Sequence, residues 1–356
     1  MKCMLLHGIF PAITTPFYPD GRIYLKKLEL NVARYCRGPV TGVVVLGSTG
    51  EAVMLNCDEQ KDVLRTAIGA ASPEKVMIAG CGHESVAETV DACEMAAALG
   101  YDVAMVRTPN YYRNQMTAPV MLNYFRAVAD RSPLPVVIYN FPQCTGYDMP
   151  VELIVELAGH RNIIGIKESS GDVAKVERIV GCTKAVKRET RVTHEFRPVT
   201  ARMVAKAQAV PVGEFVSAGA LAATAKPSSS SVEMIGGLRT RQKEVGFQTL
   251  VGSAQKLHAL LGVGACGGIL AFAACAPTAC YEIYAAFKDD DQALADEKQR
   301  RIQAAAARVV GEMGIAGVKY AADLNGFYGG APRLPLLPLT AEQRREVERL
   351  MGEIKS

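Results

Sequence analysis

The feature that most restricts the fold of this chain is a series of eight short apolar runs separated by helical patterns. They are Gly8–Thr14, Gly42–Leu46, Val76–Gly80, Asp102–Val106, Leu134–Tyr139, Asn162–Lys167, Phe247–Val251 and Gly268–Phe272. Their apolar residues are consecutive instead of alternating, the pattern of strands covered on both faces. Strands of this kind alternating with helices require a parallel α/β fold, and a count of eight predicts a closed (β/α)8 TIM barrel.

The intervening segments carry helix punctuation. Asn56-Cys-Asp-Glu59 and Ser85-Val-Ala-Glu88 read as capping boxes, Gly100 ends the helix that Ser85 opens, and Asp172 is placed to cap the helix after the sixth run. Strand signals stop near Lys288. Helical patterns at 290–313 and at 341–354, the latter opened by Thr340-Ala-Glu-Gln343, predict a helical C-terminal extension over 288–356 beside a barrel over 1–287.

Successive runs start at most 34 residues apart, except that 85 residues separate Asn162 from Phe247. The surplus, placed at 185–244, is an insert between strands six and seven. Lys184–Glu244 holds eleven Lys or Arg against five Glu, whereas the rest of the chain holds 29 basic and 31 acidic residues. The basic excess therefore belongs to the insert, and its Lys226-Pro-Ser-Ser-Ser-Ser231 tract reads as a flexible linker. Few aromatics accompany these cations and no nucleic-acid module is recognisable, so a solvated loop is expected and no nucleic-acid partner.

Net charge is only +4 over 356 residues, which gives no reason to expect an anionic polymer or membrane as partner. The ten cysteines include no Cys-x-x-Cys pair and no histidine at zinc spacing, which predicts reduced thiols, no metal and a cytoplasmic location. The start has too short an apolar run for a signal peptide. Ala259–Tyr281 is uncharged and about as long as a membrane span, yet four glycines and Pro277 divide it, so it reads as a helix end, a turn and a buried strand. Gly262-Val-Gly-Ala-Cys-Gly267 satisfies G-x-G-x-x-G but follows a helical stretch and leads into a strand, the reverse of a dinucleotide-binding order.

In such a barrel the chemistry lies at the C-terminal ends of the strands. Lys167 directly continues Ile163-Ile164-Gly165-Ile166, which places its amine in the barrel mouth, where desolvation makes it a nucleophile for carbonyls. The alternative is a lysine that snorkels to the rim or pairs with Glu168. Tyr139 ends strand five, either as a packed core phenol with a satisfied hydroxyl or as a reactive one, and Ser48 and Thr49 lie between glycines after strand two, forming either a simple turn or a carboxylate-binding one.

Taken in order, Gly8-Ile-Phe-Pro-Ala-Ile-Thr-Thr-Pro-Phe17, Gly47-Ser-Thr-Gly-Glu51, Tyr139-Asn-Phe-Pro142, Gly165-Ile-Lys-Glu-Ser-Ser-Gly-Asp172 and Tyr328-Gly-Gly-Ala-Pro-Arg333 make the chain resemble the pyruvate-type class I aldolases related to dihydrodipicolinate synthase and N-acetylneuraminate lyase. The resemblance implies a cofactor-free lyase acting on a 2-oxo acid. It implies that Lys167 forms the Schiff base, that Tyr139 is the acid/base, and that Thr49 and Tyr111 assist it, Tyr111 often across a dimer interface. It further implies that Ser48 and Thr49 hold the substrate carboxylate, and that the protein is a homo-oligomer, dimer or tetramer.

Dihydrodipicolinate synthases usually carry an arginine two residues after the proline of the tyrosine motif, where this chain has Cys144. A neutral thiol cannot replace a bidentate guanidinium. Thr108-Pro-Asn-Tyr-Tyr-Arg113, Lys167-Glu-Ser-Ser-Gly-Asp172, Phe247-Gln-Thr-Leu-Val-Gly-Ser253 and Gly314-Ile-Ala-Gly-Val-Lys319 look most like 4-hydroxy-2-oxoglutarate aldolase, with Ser169 as a supporting or substrate-contacting hydroxyl. The remaining readings are synthase-like condensation with an aldehyde, a 2-keto-3-deoxy sugar-acid aldolase, and a non-enzymatic binding barrel.

Overall fold

A computed structural model describes residues 3–209, 232–235 and 238–354. Eight parallel strands form the central sheet: β1 (Gly8–Pro11), β2 (Gly42–Val45), β3 (Val76–Gly80), β4 (Val103–Arg107), β5 (Val136–Asn140), β6 (Ile163–Glu168), β10 (Gln248–Val251) and β11 (Gly267–Leu270). Their order is β1-β11-β10-β6-β5-β4-β3-β2. A parallel bridge between Ala12 and Val44 joins the two ends, so the sheet closes into the expected TIM barrel. All eight apolar runs became its strands, with ends shifted by a few residues.

Both faces of each strand are buried, which explains the unbroken apolar runs. Phe10, Val44, Ile78, Met105, Val137, Ile164, Leu250 and Ile269 fill the barrel interior. Alternate residues such as Val43, Val45, Ala104, Ile138 and Ile166 face the helical layer. Gly165 is needed between β6 and β10, because a Cβ there would lie 2.3 Å from the Gln248 carbonyl oxygen.

Three of the four expected caps form as drawn. Asn56 and Glu59 make a reciprocal capping box, as do Thr340 and Gln343, and Asp172 accepts from the Lys175 amide. Ser85 accepts from the Glu88 amide, but the Glu88 carboxylate turns to His83 instead of closing the box. The C-terminal part is helical, with Gln292–Ala305 running into a π-helical turn at Ala306–Glu312, followed by Gly314–Leu324 and Ala341–Met351. Among the described residues no helix is long and apolar enough to cross a membrane.

The insert departs from a solvated loop. Over its described residues it forms an antiparallel sheet of β7 (Arg188–Thr193), β8 (Glu233–Ile235) and β9 (Leu238–Val245), with a helix over Ala201–Ala209. The Lys226–Ser231 tract lies outside the described residues. Thr190 donates to the Cys3 carbonyl, Arg188 to the carbonyls of Ala158 and His160, and Arg202 to the Lys75 carbonyl and the buried Asp102 carboxylate. Each of these partners lies just before a barrel strand or at a helix end leading into one, which puts the insert on the N-terminal face. Its basic residues are thus used partly against barrel carbonyls and Asp102, while Val192 and Val245 pack on Leu5.

Candidate active site

Lys167 lies on β6 opposite Tyr139 of β5 and Leu250 of β10. Strand alternation turns Lys167 into the barrel mouth and Glu168 outward. Glu168 is buried among other partners: it accepts from Asn140 Nδ2 at 2.8 Å and from the Ser170 amide at 2.7 Å, and its Oε2 lies 3.2 Å from Lys175 Nζ. Asp148 pairs with the same lysine and also accepts from Asn140. The carboxylate next in sequence is therefore engaged elsewhere, and Lys167 has no ion pair among the described residues.

The Lys167 side chain is 5% exposed, and its Nζ stands 3.9 Å from the centroid of the Tyr139 ring. Burial pulls its pKa from 10.5 to about 7, with the nearby Cys144 opposing the shift slightly. Half of such amines are unprotonated at neutral pH, as nucleophilic attack on a ketone requires. The Tyr139 hydroxyl is also fully enclosed, and burial raises its pKa well above the ordinary phenol value while Ser48 and Ser169 offset part of the rise. Tyr139 is therefore a neutral phenol at rest.

The turn after β2 presents the first hydroxyl. Leu46 and Glu51 both adopt left-handed backbone, at φ 60° and 57°, on either side of a short 3-10 turn at Ser48–Gly50. Non-glycine residues pay of order 1–3 kcal/mol for such conformations, and the surroundings must enforce them. Part of that enforcement comes from the C-terminal extension: the Glu51 carboxylate sits 2.5 Å from Lys319 Nζ, both fully buried, and accepts from the Arg333 amide. Lys319 also donates to the Ala331 carbonyl, and the Arg333 guanidinium clasps Glu59 at 2.6 Å.

The Tyr139 hydroxyl faces two serines, Ser48 and Ser169. Ser48 Oγ lies 3.3 Å from the Tyr139 hydroxyl, whereas Thr49 is buried without a hydrogen bond to it. Ser48 is placed to exchange a proton with Tyr139. Tyr111 is 80% exposed, with its ring packed edge-on against Tyr112, and makes no hydrogen bond to Tyr139 within the chain. Its loop is fixed by Glu84, which accepts from the amides of Asn110 and Tyr111 and pairs with Arg107.

Ser169 follows β6, and a Cβ on Gly252 would meet its Oγ at 2.0 Å, so that glycine makes its room. Among the described residues the Ser253 oxygen is buried without a hydrogen-bond partner, which leaves a hydroxyl after the strand next to β6 available to a ligand. Ser253 was not singled out from the sequence; its place directly after strand seven was the available signal. Cys144 lies beyond Tyr139, where burial pushes its thiol pKa up and Lys167 offsets part of the rise. The guanidinium of Arg113 leans over the same loop, within 2.9 Å of where a Gly146 Cβ would be.

A closed (β/α)8 barrel with a buried, unpaired lysine at the end of its sixth strand and a phenol beside it is the class defined by this geometry. The Dihydrodipicolinate synthetase family model matches residues 5–187 and 223–354, and the chain belongs to that family. The unmatched stretch, 188–222, falls within the insert.

Among similar proteins is the 4-hydroxy-tetrahydrodipicolinate synthase of Xanthomonas axonopodis pv. citri (strain 306), 42% identical over 177 residues, half of this chain and 58% of that protein. In alignments of this kind the chain spans only about three-fifths of the relative's length. The synthase of Methanococcoides burtonii is 27% identical over 98% of this chain and 99% of its own. A dihydrodipicolinate synthase structure from Acinetobacter baumannii, complexed with pyruvate, superposes with a TM-score of 0.76 at 25% identity, covering 98% of each chain.

Proposed function

We propose that this protein is a Schiff-base-forming class I aldolase, a lyase that cleaves 4-hydroxy-2-oxoglutarate to pyruvate and glyoxylate. The observation that carries this reading is the enclosed Lys167 amine, free of any carboxylate and held against Tyr139. Its Nζ adds to the C2 ketone and water leaves, giving a protonated imine. The Tyr139 hydroxyl takes the C4 hydroxyl proton while passing its own toward Ser48. As the C3–C4 bond breaks, glyoxylate departs and the electron pair moves into the imine, leaving an enamine. Protonation at C3 and hydrolysis release pyruvate and restore the amine.

Cys144 supports the short aldehyde. In glyoxylate the carboxylate is attached directly to the aldehyde carbon, whereas in aspartate semialdehyde it lies three bonds away and needs a cation further out. A second reading, condensation of pyruvate with such an aldehyde, is favoured by one observation: Arg113 brings a guanidinium to the Cys144 loop from β4. We also assign Tyr111 to the site of a second copy of the chain, because its ring is exposed while its amide is held by Glu84, which lines a cleft together with the exposed Val53, Ser48 and Tyr139. Sedimentation of a monomer at micromolar concentration would remove that assignment.

The deciding experiment is reduction with borohydride in the presence of pyruvate. One adduct per chain is expected, mapped to Lys167, and Lys167→Ala should lose both adduct and turnover; an intact protein that forms no imine is a binding barrel instead. Turnover of 4-hydroxy-2-oxoglutarate should exceed condensation with aspartate semialdehyde, and the reverse order establishes the second reading. Preferred cleavage of 2-keto-3-deoxy sugar acids would replace the proposed substrate but leave the mechanism intact.

A further inference from the structure

A cavity of about 280 Å³ lies between β10, the turn Gly264–Cys266 before β11 and the helices Val173–Cys182 and Pro277–Lys288, opening on the N-terminal face. It is separate from the mouth that holds Lys167. Val180, Leu261 and Phe287 provide apolar wall, while His7 and Lys288 stand at the lining, and none of the lining residues is acidic. Thr249 faces it from β10. That side chain is 2% exposed, and its Oγ1 has no hydrogen-bond partner among the described residues.

A second lysine comes from the insert. Lys243 on β9 is paired with Thr190, which anchors β7 to Cys3, so it belongs to the face of the inserted sheet that looks at the barrel, beside the cavity lining and with its Nζ 5.5 Å from the Phe196 ring. Among the described residues neither Lys243 nor Lys288 has an ion pair. Burial lowers the His7 pKa to about 4, and both lysines push in the same direction, so their charges converge on it without a neutralising carboxylate. Two lysines at and beside a lining that holds no carboxylate give the cavity a positive potential that favours an anion.

We propose that this cavity is a binding site for a small organic anion, one phosphate or carboxylate head held by Lys243, Lys288 and the Thr249 hydroxyl on an apolar body lodged between Val180, Leu261 and Phe287. The insert completes the site by contributing Lys243, which gives this added segment a function that a barrel without it would lack.

The test is calorimetric titration of the full chain with inorganic phosphate and with phenyl phosphate, before and after Lys167 has been trapped with pyruvate and borohydride. One phenyl phosphate per chain is expected, bound more tightly than phosphate, and trapping should leave it unchanged. Replacing both cations, Lys243→Glu with Lys288→Glu, should weaken binding by at least about tenfold, because two charge-assisted contacts are reversed. Thr249→Val, which keeps the shape of the site, should weaken it by a smaller factor. Absence of binding at millimolar probe, binding indifferent to the reversed charges and to Thr249→Val, or binding abolished by trapping at Lys167 would each overturn the proposal.

Discussion

At the residue scale the site depends on one amine kept out of water. Because burial holds the Lys167 pKa at about 7, the rate of borohydride trapping with pyruvate should rise about tenfold per pH unit below 7 and level off above it. The sign for stability follows from the same depression. Between pH 7 and 10.5 the folded lysine is largely neutral and the unfolded one charged, so unfolding takes up a proton and stability rises with pH across that window. Lys167→Met should remove that slope in urea titrations. Tyr139→Phe should keep imine formation measurable and slow cleavage by about 10²-fold or more, the usual scale of lost acid/base assistance, as single-turnover kinetics would show. Lys167 was legible in the sequence because an ionisable residue continuing an apolar strand has one place to go. Which hydroxyl of Ser48 and Thr49 meets Tyr139 was not, because the choice is made by left-handed backbone at Leu46 and Glu51 that neighbouring elements impose.

At the scale of elements, two charged contacts join parts of the chain that the barrel pattern does not link. Arg202, on the inserted helix, pairs with Asp102 at the foot of β4, and burial raises the Asp102 pKa despite that partner. Arg202→Leu should therefore destabilise the protein by about 3 kcal/mol at pH 7, the typical cost of stranding a buried charge. The deficit should shrink as pH falls and the carboxyl protonates; urea midpoints at pH 7 and pH 4.5 decide it. Lys319→Met strands Glu51 in the same way and should cost a similar amount, with Glu51→Gln recovering part of it in the double variant. Neither contact was legible, since Arg202 falls in the segment expected to be a solvated loop and Lys319 between the two helical patterns of the tail. The strands of the insert were hidden too: Leu238-Arg-Thr-Arg-Gln-Lys-Glu-Val245 is mostly charged or polar, and only the barrel floor beneath it makes one face a buried one.

For the molecule as a whole, all eight strands and the helical tail were readable because burial on both faces writes itself into consecutive residues. What the sequence concealed was the coupling between the barrel and its additions. The Glu51–Lys319 pair has a consequence for the chain during its synthesis. All eight strands are complete once Leu270 has emerged, so the barrel can close while Lys319 is still unmade. The turn bearing Ser48 nevertheless lacks the cation that holds Glu51 in place until the helix Gly314–Leu324 docks. A nascent chain therefore passes through a stage at which it has its shape but not its chemistry. A protein ended after Met313 should reproduce that stage, with barrel-like circular dichroism and pyruvate trapping at Lys167, but with cleavage reduced to the level of Ser48→Ala.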